Sequence, residues 1–389
     1  MLTAATTLKI LAVNQLIDPV TGGGTAERTL QLAQHFAALG NECTILTLDC
    51  GMTNDLIDNI QRDRLKLFIL PCLNRRFYIP KFRLSDIYSL VDNADIIHIM
   101  GHWTFLNVLV SYLARKLNKA YVVCPAGALP VFGRSRMIKQ VYNVLGGRRT
   151  IRSASAHIAI ANNEIDQFAL YGLDSDRITT IPNGVNPLDY QACDVSAFRH
   201  NNGLGAAPYI LFIGRLNPIK GPDLLLQAFH RIVHILPSYH LVFAGPDGGM
   251  EASLKAMSIE TNLEGKVHFT GYIGGTDKVA AYQGASLIAV PSRQEAMSIV
   301  ALEAGICGKP VLMTNQCGFD ILEQLGGGLI VAATVEGIQD GLLNMLHEST
   351  RLEEMGARLK GHVEERYTWE IAAKTCIELF QDVLNPQNN

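Results

Sequence analysis

The sequence predicts an α/β protein made of two Rossmann-like domains in tandem, and three observations predict it. Short apolar runs alternate with helix-period segments through both halves, the pattern of parallel strands joined by crossover helices. The alternation stops at Asp189 to Pro208, which carries His200, Asn201, Asn202, Gly203, Gly205 and Pro208, and then restarts. The length, 389 residues, is also more than one ordinary core organises.

In chain order, Leu8 to Val13 is a first strand, apolar enough to be buried on both faces. Ala26 to Leu39 follows as a helix, with Leu30, Ala33, Phe36 and Ala37 on one face and Gly40 as its stop. Cys43 to Leu48, Leu65 to Leu70, Asp95 to Ile99, Tyr121 to Cys124, His157 to Ile160 and Ile178 to Ile181 complete the first set of strands. The second set is Tyr209 to Ile213, Leu241 to Ala244, Val267 to Phe269, Leu287 to Val290, Val311 to Met313 and Leu329 to Val331. Trp369 to Leu384 is a last helix with no sheet position left to fill, free to pack back on the first domain. The expected organisation is a first domain over 1–188, a linker over 189–208, a second domain over 209–367 and a C-terminal helix within 368–389.

With 48% hydrophobic and 18% charged residues, the chain lies far from the composition of disorder. Its 34 glycines show no fixed period, which excludes collagen-like and repeat architectures. Eight scattered cysteines without a Cys-x-x-Cys pair argue against zinc and for reduced thiols in a cytosolic protein. The first residues lack the basic region of a secretory signal, and the longest uncharged stretch, Ile96 to Ala114, is too interrupted by polar residues to span a membrane. Up to Tyr190 there are 19 Lys/Arg against 15 Asp/Glu, and beyond it 14 against 21. No acid occurs between Asp95 and Glu164, where Arg115, Lys116, Lys119, Arg134, Arg136, Lys139, Arg148, Arg149 and Arg152 all fall. One face of the first domain is therefore expected to be electropositive. The basic residues lack the interleaved aromatics of a nucleic-acid site, which leaves an anionic membrane surface, a phosphorylated acceptor, or a merely solvated basic face.

Three segments can carry chemistry. Thr21-Gly22-Gly23-Gly24-Thr25 precedes the first helix, and glycines there let backbone amides approach an anion. It is not a dinucleotide fingerprint, because Glu27 stands where the third glycine belongs and the strand ends well before Gly22. Gly214-Arg215-Leu216-Asn217-Pro218-Ile219-Lys220-Gly221 lies between a strand end and a helix start, where two cations suit a diphosphate. In Glu295-Ala296-Met297-Ser298-Ile299-Val300-Ala301-Leu302-Glu303, Ser298 reads as an N-cap that leaves the amides of Ile299 and Val300 available between two carboxylates.

The paired glutamates, the Gly-Arg…Lys-Gly loop, the Pro182-Asn183-Gly184-Val185 turn, the N-terminal glycine loop, Phe269-Thr270-Gly271-Tyr272 and Val290-Pro291-Ser292 together resemble a family 4 retaining glycosyltransferase of the GT-B fold. The resemblance spans nearly the whole chain and implies two Rossmann-like domains facing each other across a cleft that takes a nucleotide-sugar. It implies that Arg215 and Lys220 hold the diphosphate, Glu303 the ribose and Glu295 the transferred sugar, with Ser298, Ile299 and Val300 beside it and Gly23 or Gly24 on the phosphate from the first domain. It implies no cofactor and no metal. The sequence departs from the pattern at Ala126, where relatives carry a His in a Pro-His-Gly-like context, at Met100 in a His-x-His-Gly-like stretch, and at Met297-Ser298 in place of Phe-Gly. His102 is the candidate substitute, with His98 a second. Asp174-Ser175-Asp176 resembles a metal-binding Asp-x-Asp but falls in an αβ loop, as a surface turn would.

The expected activity is retaining, metal-independent transfer of a hexose, glucose from UDP-glucose first, to a saccharide or lipid-linked saccharide in surface or extracellular polysaccharide synthesis. The expected place is the cytoplasm, at the inner face of the membrane where anionic lipid is the partner. Two alternatives stay open: a nucleotide-sugar epimerase on a GT-B-like fold, and a nucleotide-sugar-binding partner subunit without turnover, to which Ala126 points.

Overall fold

The computed structural model describes residues 7–62, 65–131 and 136–386. Arg134, one of the basic residues singled out above, lies outside them. The chain forms two units. The first holds the residues up to Asn183 together with those from Trp369 onward, and the second runs from Gly184 to Thr368.

In the first unit, β1 (Lys9–Val13), β2 (Glu42–Leu48), β3 (Lys66–Leu70), a small antiparallel hairpin of β4 (Cys72–Asn74) and β5 (Ile79–Pro80), β6 (Ile96–Met100), β7 (Ala120–Cys124), β8 (Ala156–Ala159) and β9 (Ile178–Thr180) follow in sequence. All but the hairpin form one parallel sheet of order β3-β2-β1-β6-β7-β8-β9. Its central strands β1, β6 and β7 read largely apolar because helices cover both faces. The helix Trp369–Leu384 packs against the helix Pro19–Ala38, and Phe380 meets Phe36 edge to face at 5.7 Å with both rings fully buried. Truncating such a ring to Ala costs about 3–5 kcal/mol, so this helix is part of the first unit's core.

The second unit holds β10 (Tyr209–Ile213), β11 (His240–Ala244), β12 (Val267–Gly271), β13 (Leu287–Val290), β14 (Val311–Thr314) and β15 (Gly328–Val331), all parallel, in the order β12-β11-β10-β13-β14-β15. In each unit the strand order reverses once, between β1 and β6 and between β10 and β13. Loops leaving the carboxyl ends of two such strands diverge and open a crevice between them, where α/β sheets bind ligands.

The stretch 189–208, expected as a linker, is folded onto the second unit instead. Phe198 and Leu204 are buried, and the Arg199 guanidinium donates to the carbonyls of Gly205, Ala207 and Gly284. The chain passes between units at Asn183 and Gly184, ahead of that stretch. Arg28 holds the first side of this passage: fully buried, it donates to the carbonyls of Ile181 and Pro182 and to Asn183 Oδ1 at 2.8–3.1 Å.

Candidate active site

In the second unit the loops after β10 and β13 meet at the strand-order reversal. Gly221 has φ +66°, and a Cβ there would sit 2.2 Å from the Pro291 carbonyl oxygen, so only glycine lets the two loops come this close. Arg293 locks them together. It makes a two-pronged ion pair with Asp223 at 2.6 and 2.8 Å, donates from Nη1 to the Pro218 carbonyl, and donates its amide to the Ile219 carbonyl. On this frame Lys220 Nζ lies 2.8 Å from Glu295 Oε1, while Ser292 Oγ donates to Glu295 Oε2 at 2.9 Å. The Lys220 amide is held by Asn217 Oδ1, and Arg215 stands half-buried at the start of the same loop. The structure thus brings Lys220 and Glu295 into direct contact on neighbouring loops.

Ser298 takes the N-cap backbone conformation of the helix Ile299–Ile306, but its hydroxyl makes no capping bond. The expectation that its side chain caps the helix is corrected: Ser298 Oγ is buried and without a partner among the described residues. The amides of Ile299 and Val300 begin the helix, a place suited to anionic oxygens. One turn further, Glu303 is 7% exposed, with Oε1 2.6 Å from Lys278 Nζ and Oε2 accepting from the Tyr282 hydroxyl at 2.6 Å. Burial first, and the Glu303 charge second, push the Tyr282 phenol well above its ordinary pKa, so it stays a donor. Lys278 and Tyr282 escape the sequence reading, although their spacing of four along one helix face is the signal that could have found them.

In the first unit the glycine segment is not a loop ahead of the helix. Asp18 caps a helix that begins at Pro19, and its carboxylate accepts from the amides of Val20 and Thr21. Gly23, at φ +60° and ψ −143°, breaks that helix, which starts afresh after it. Gly23 and Gly24 therefore stand at a kink beside the end of β1.

His102 follows β6 on the other side of the same reversal, and it is only 1% exposed. Trp103, Tyr142 and Tyr171 enclose the imidazole at ring distances of 4.4–5.3 Å. The Tyr171 hydroxyl donates to the Leu129 carbonyl, so it accepts from His102 Nε2 at 3.1 Å, which assigns the proton to Nε2. Nδ1 has no partner among the described residues. Burial pushes the imidazole down to about 4, which leaves it neutral near pH 7. His102, the sequence's candidate substitute for the histidine of relatives, is thus enclosed and neutral. His98 is buried between Phe36 and Phe380 and pushed down to about 3, first by burial and then by Arg28.

Ala126 adopts φ +51°, unusual for a residue with a Cβ. Buried Glu164 holds its loop, accepting from the amides of Gly127 and Ile160. Asp174 and Asp176 are exposed on a 3-10 turn that leads into the amino end of β9, away from the loops just described. Among the described residues, the group of ligand atoms close enough to share a metal is Asp49, Cys50 and Cys72, within 4.8 Å of one another and in the first unit. Burial pushes the Cys50 thiol up to about 11, against the thiolate that a metal would need.

A family model described as Glycosyltransferase Family 4 matches residues 22–187, and one described as Glycosyl transferases group 1 matches 195–362. A D-inositol 3-phosphate glycosyltransferase of Nocardia farcinica is 30% identical over 305 residues, covering 75% of this chain and 67% of that protein. The chain belongs to glycosyltransferase family 4. A protein of the same description from Saccharomonospora viridis is 28% identical, and the match covers 58% of its length. A crystal structure of Anabaena HepE in complex with UDP-glucose has a TM-score of 0.79, covering 96% of this glycosyltransferase and 100% of that chain. At 17% identity that likeness establishes the GT-B type of fold alone.

Proposed function

We propose that this glycosyltransferase moves glucose from UDP-glucose to a saccharide or lipid-linked saccharide acceptor. In this reading transfer retains the anomeric configuration, needs no metal, and serves surface or extracellular polysaccharide synthesis at the cytoplasmic face of a membrane. The observation that carries the proposal is the Lys220–Glu295 pair at 2.8 Å on the loop that also holds Arg215, at the strand-order reversal of the second unit. The UDP-glucose bound by Anabaena HepE supports the choice of donor. The Nocardia protein, by its name, works on D-inositol 3-phosphate, which supports a hydroxylated acceptor.

Arg215, Lys220 and the amides of Ile299 and Val300 take the diphosphate, Glu303 the ribose hydroxyls and Glu295 the sugar. As the bond from the anomeric carbon to the diphosphate oxygen breaks, its electron pair stays on that oxygen, where preorganised cations and amides stabilise it. The acceptor hydroxyl attacks from the face that the diphosphate leaves, and its proton passes to the departing phosphate oxygen. Charge-assisted hydrogen bonds contribute about 1.5–3 kcal/mol each, so several supply a useful share of an enzymatic barrier reduction.

A thermal-shift panel of nucleotide-sugars, followed by turnover in excess chelator and NMR of the product anomer, tests the proposal. UDP-glucose should raise the midpoint and turnover should persist. Stabilisation by a guanosine sugar alone, activity that returns only with magnesium or manganese, or an inverted product would each contradict the corresponding part.

A further inference from the structure

The helical run from Arg136 to Arg152 packs on the first unit by one side only. Tyr142 and Asn143 face inward, where the Tyr142 hydroxyl donates to the His102 and Thr104 carbonyls and Asn143 Oδ1 meets His102 Nε2. The opposite side carries Met137, Ile138 and Val141, which fall within about 100° of one another on the α-helix Arg136–Tyr142 at 3.6 residues per turn, and Val144 and Leu145 on the π-helical turn Asn143–Gly147 that continues it. Spacing of this kind normally marks the buried face of a helix, yet here it is uncovered: Met137 is 81% exposed, Val144 87% and Leu145 79%.

Charge identifies what covers it. Arg136, Arg148, Arg149 and Arg152 are exposed along the same run, and no Asp or Glu lies in the chain between Asp95 and Glu164. Leu170, exposed as well, extends the apolar surface beside Arg148, which donates to its carbonyl. Exposed apolar side chains with four exposed arginines on the same run complement a layer with apolar chains below and negative charge at its surface, while Asp166, exposed four residues before Leu170, marks the edge of that surface. Among the described residues no helix is long and apolar enough to cross a membrane, so such contact would lie along the interface.

We infer that this run is a membrane-surface anchor, in which the Met137-to-Leu145 stripe enters the interfacial layer of an anionic bilayer and the arginines hold its lipid phosphates. The inference rests on the membrane placement in the proposed function but not on the donor. The stripe supplies affinity through buried apolar area, and the arginines supply selectivity for anionic lipid.

The test is co-sedimentation of the full chain with vesicles of phosphatidylglycerol and phosphatidylcholine, and with phosphatidylcholine alone, at low and high salt. Binding should require the anionic lipid and weaken as salt rises. Arg149→Gln should lower the partition coefficient about fivefold, the fold-change of one basic contact at the surface. Val144→Asp with Leu145→Asp should lower it more than about tenfold, with melting temperature and UDP binding unchanged because both side chains point to solvent. Added emission from Leu145→Trp should shift blue on binding and be quenched by brominated lipid. No binding to anionic vesicles, equal binding to neutral ones, or an unaltered double variant overturns the inference. So does a dimer in solution that the double variant dissociates, which would make a second copy the occupant. Failure of the donor reading would show instead as lost UDP binding with vesicle binding intact.

Discussion

Replacing Glu303 with Ala should both loosen the second unit and weaken UDP binding, and the two effects can be sized separately. In the free protein both carboxylate oxygens are engaged at 2.6 Å, by Lys278 and by Tyr282. Tyr282 is completely buried, so its hydroxyl would be left without an acceptor, a loss of about 1–3 kcal/mol. The Lys278 side chain is 31% exposed, so its ion pair adds only about 0–1 kcal/mol. At roughly 2–4 °C per kcal/mol for a domain of this size, the melting midpoint should fall by roughly 2–16 °C. Tyr282→Phe together with Glu303→Ala should recover about 1 kcal/mol relative to the sum of the single changes, because no hydroxyl is then stranded. Loss of the ribose contacts should weaken UDP by about tenfold or more in every variant that lacks the carboxylate. Scanning calorimetry and titration calorimetry with UDP read the two effects. A midpoint within a degree of the parent and an unchanged UDP affinity would refute the reasoning.

Glu295→Ala should behave differently: because Glu295 is assigned to the sugar and also pairs with Lys220, UDP affinity should hold or rise while turnover falls at least about tenfold. Steady-state rates beside UDP titrations check it, and a fall in UDP affinity matching that of Glu303→Ala would overturn the division of roles. Acid should destabilise the first unit, because His98 and His102 fold neutral with values of about 3 and about 4 against an ordinary 6.5. The unfolded chain then binds more protons below 6.5, so stability is full above that value and declines as pH falls towards 4, by about 2 kcal/mol for each histidine at pH 5. His98→Leu should remove about half of that slope in urea melts at pH 7.5 and 5, and an unaltered slope counts against the assignment. Gly221→Ala should lower kcat/KM with a smaller effect on global stability, since a Cβ 2.2 Å from the Pro291 carbonyl forces the two site loops apart. Wild-type kinetics in that variant would show that the close approach is dispensable.

The strands were legible in the sequence because burial on both faces makes them short apolar runs at regular spacing between helix-period segments, as in Tyr209–Ile213 and Leu287–Val290. The hairpin Cys72–Asn74 with Ile79–Pro80 was not, being too short to show a period. Three glycines in a row read as loop, although Asp18-Pro19 just before them is an N-cap followed by a first-turn proline, the local signal that won. In the candidate site, Arg215, Lys220, Glu295 and Glu303 stand out as charges at element ends. Their supports do not, because each depends on partners distant in sequence: Lys278 and Tyr282 reach Glu303 from another helix, and Arg28 meets Asn183 after 155 residues. The enclosure of His102 was hidden for the same reason, since Tyr142 and Tyr171 reach it from 40 and 69 residues away.

The proposal that the Arg215–Lys220 loop holds a nucleoside diphosphate is tested most directly by titration calorimetry of UDP and of uridine against the parent protein and Lys220→Ala. UDP should bind the parent, and the variant should lose about tenfold or more in UDP affinity, the worth of one charge-assisted contact, while uridine affinity stays the same. UDP that binds the variant as tightly as the parent, or that does not bind the parent at all, would contradict it.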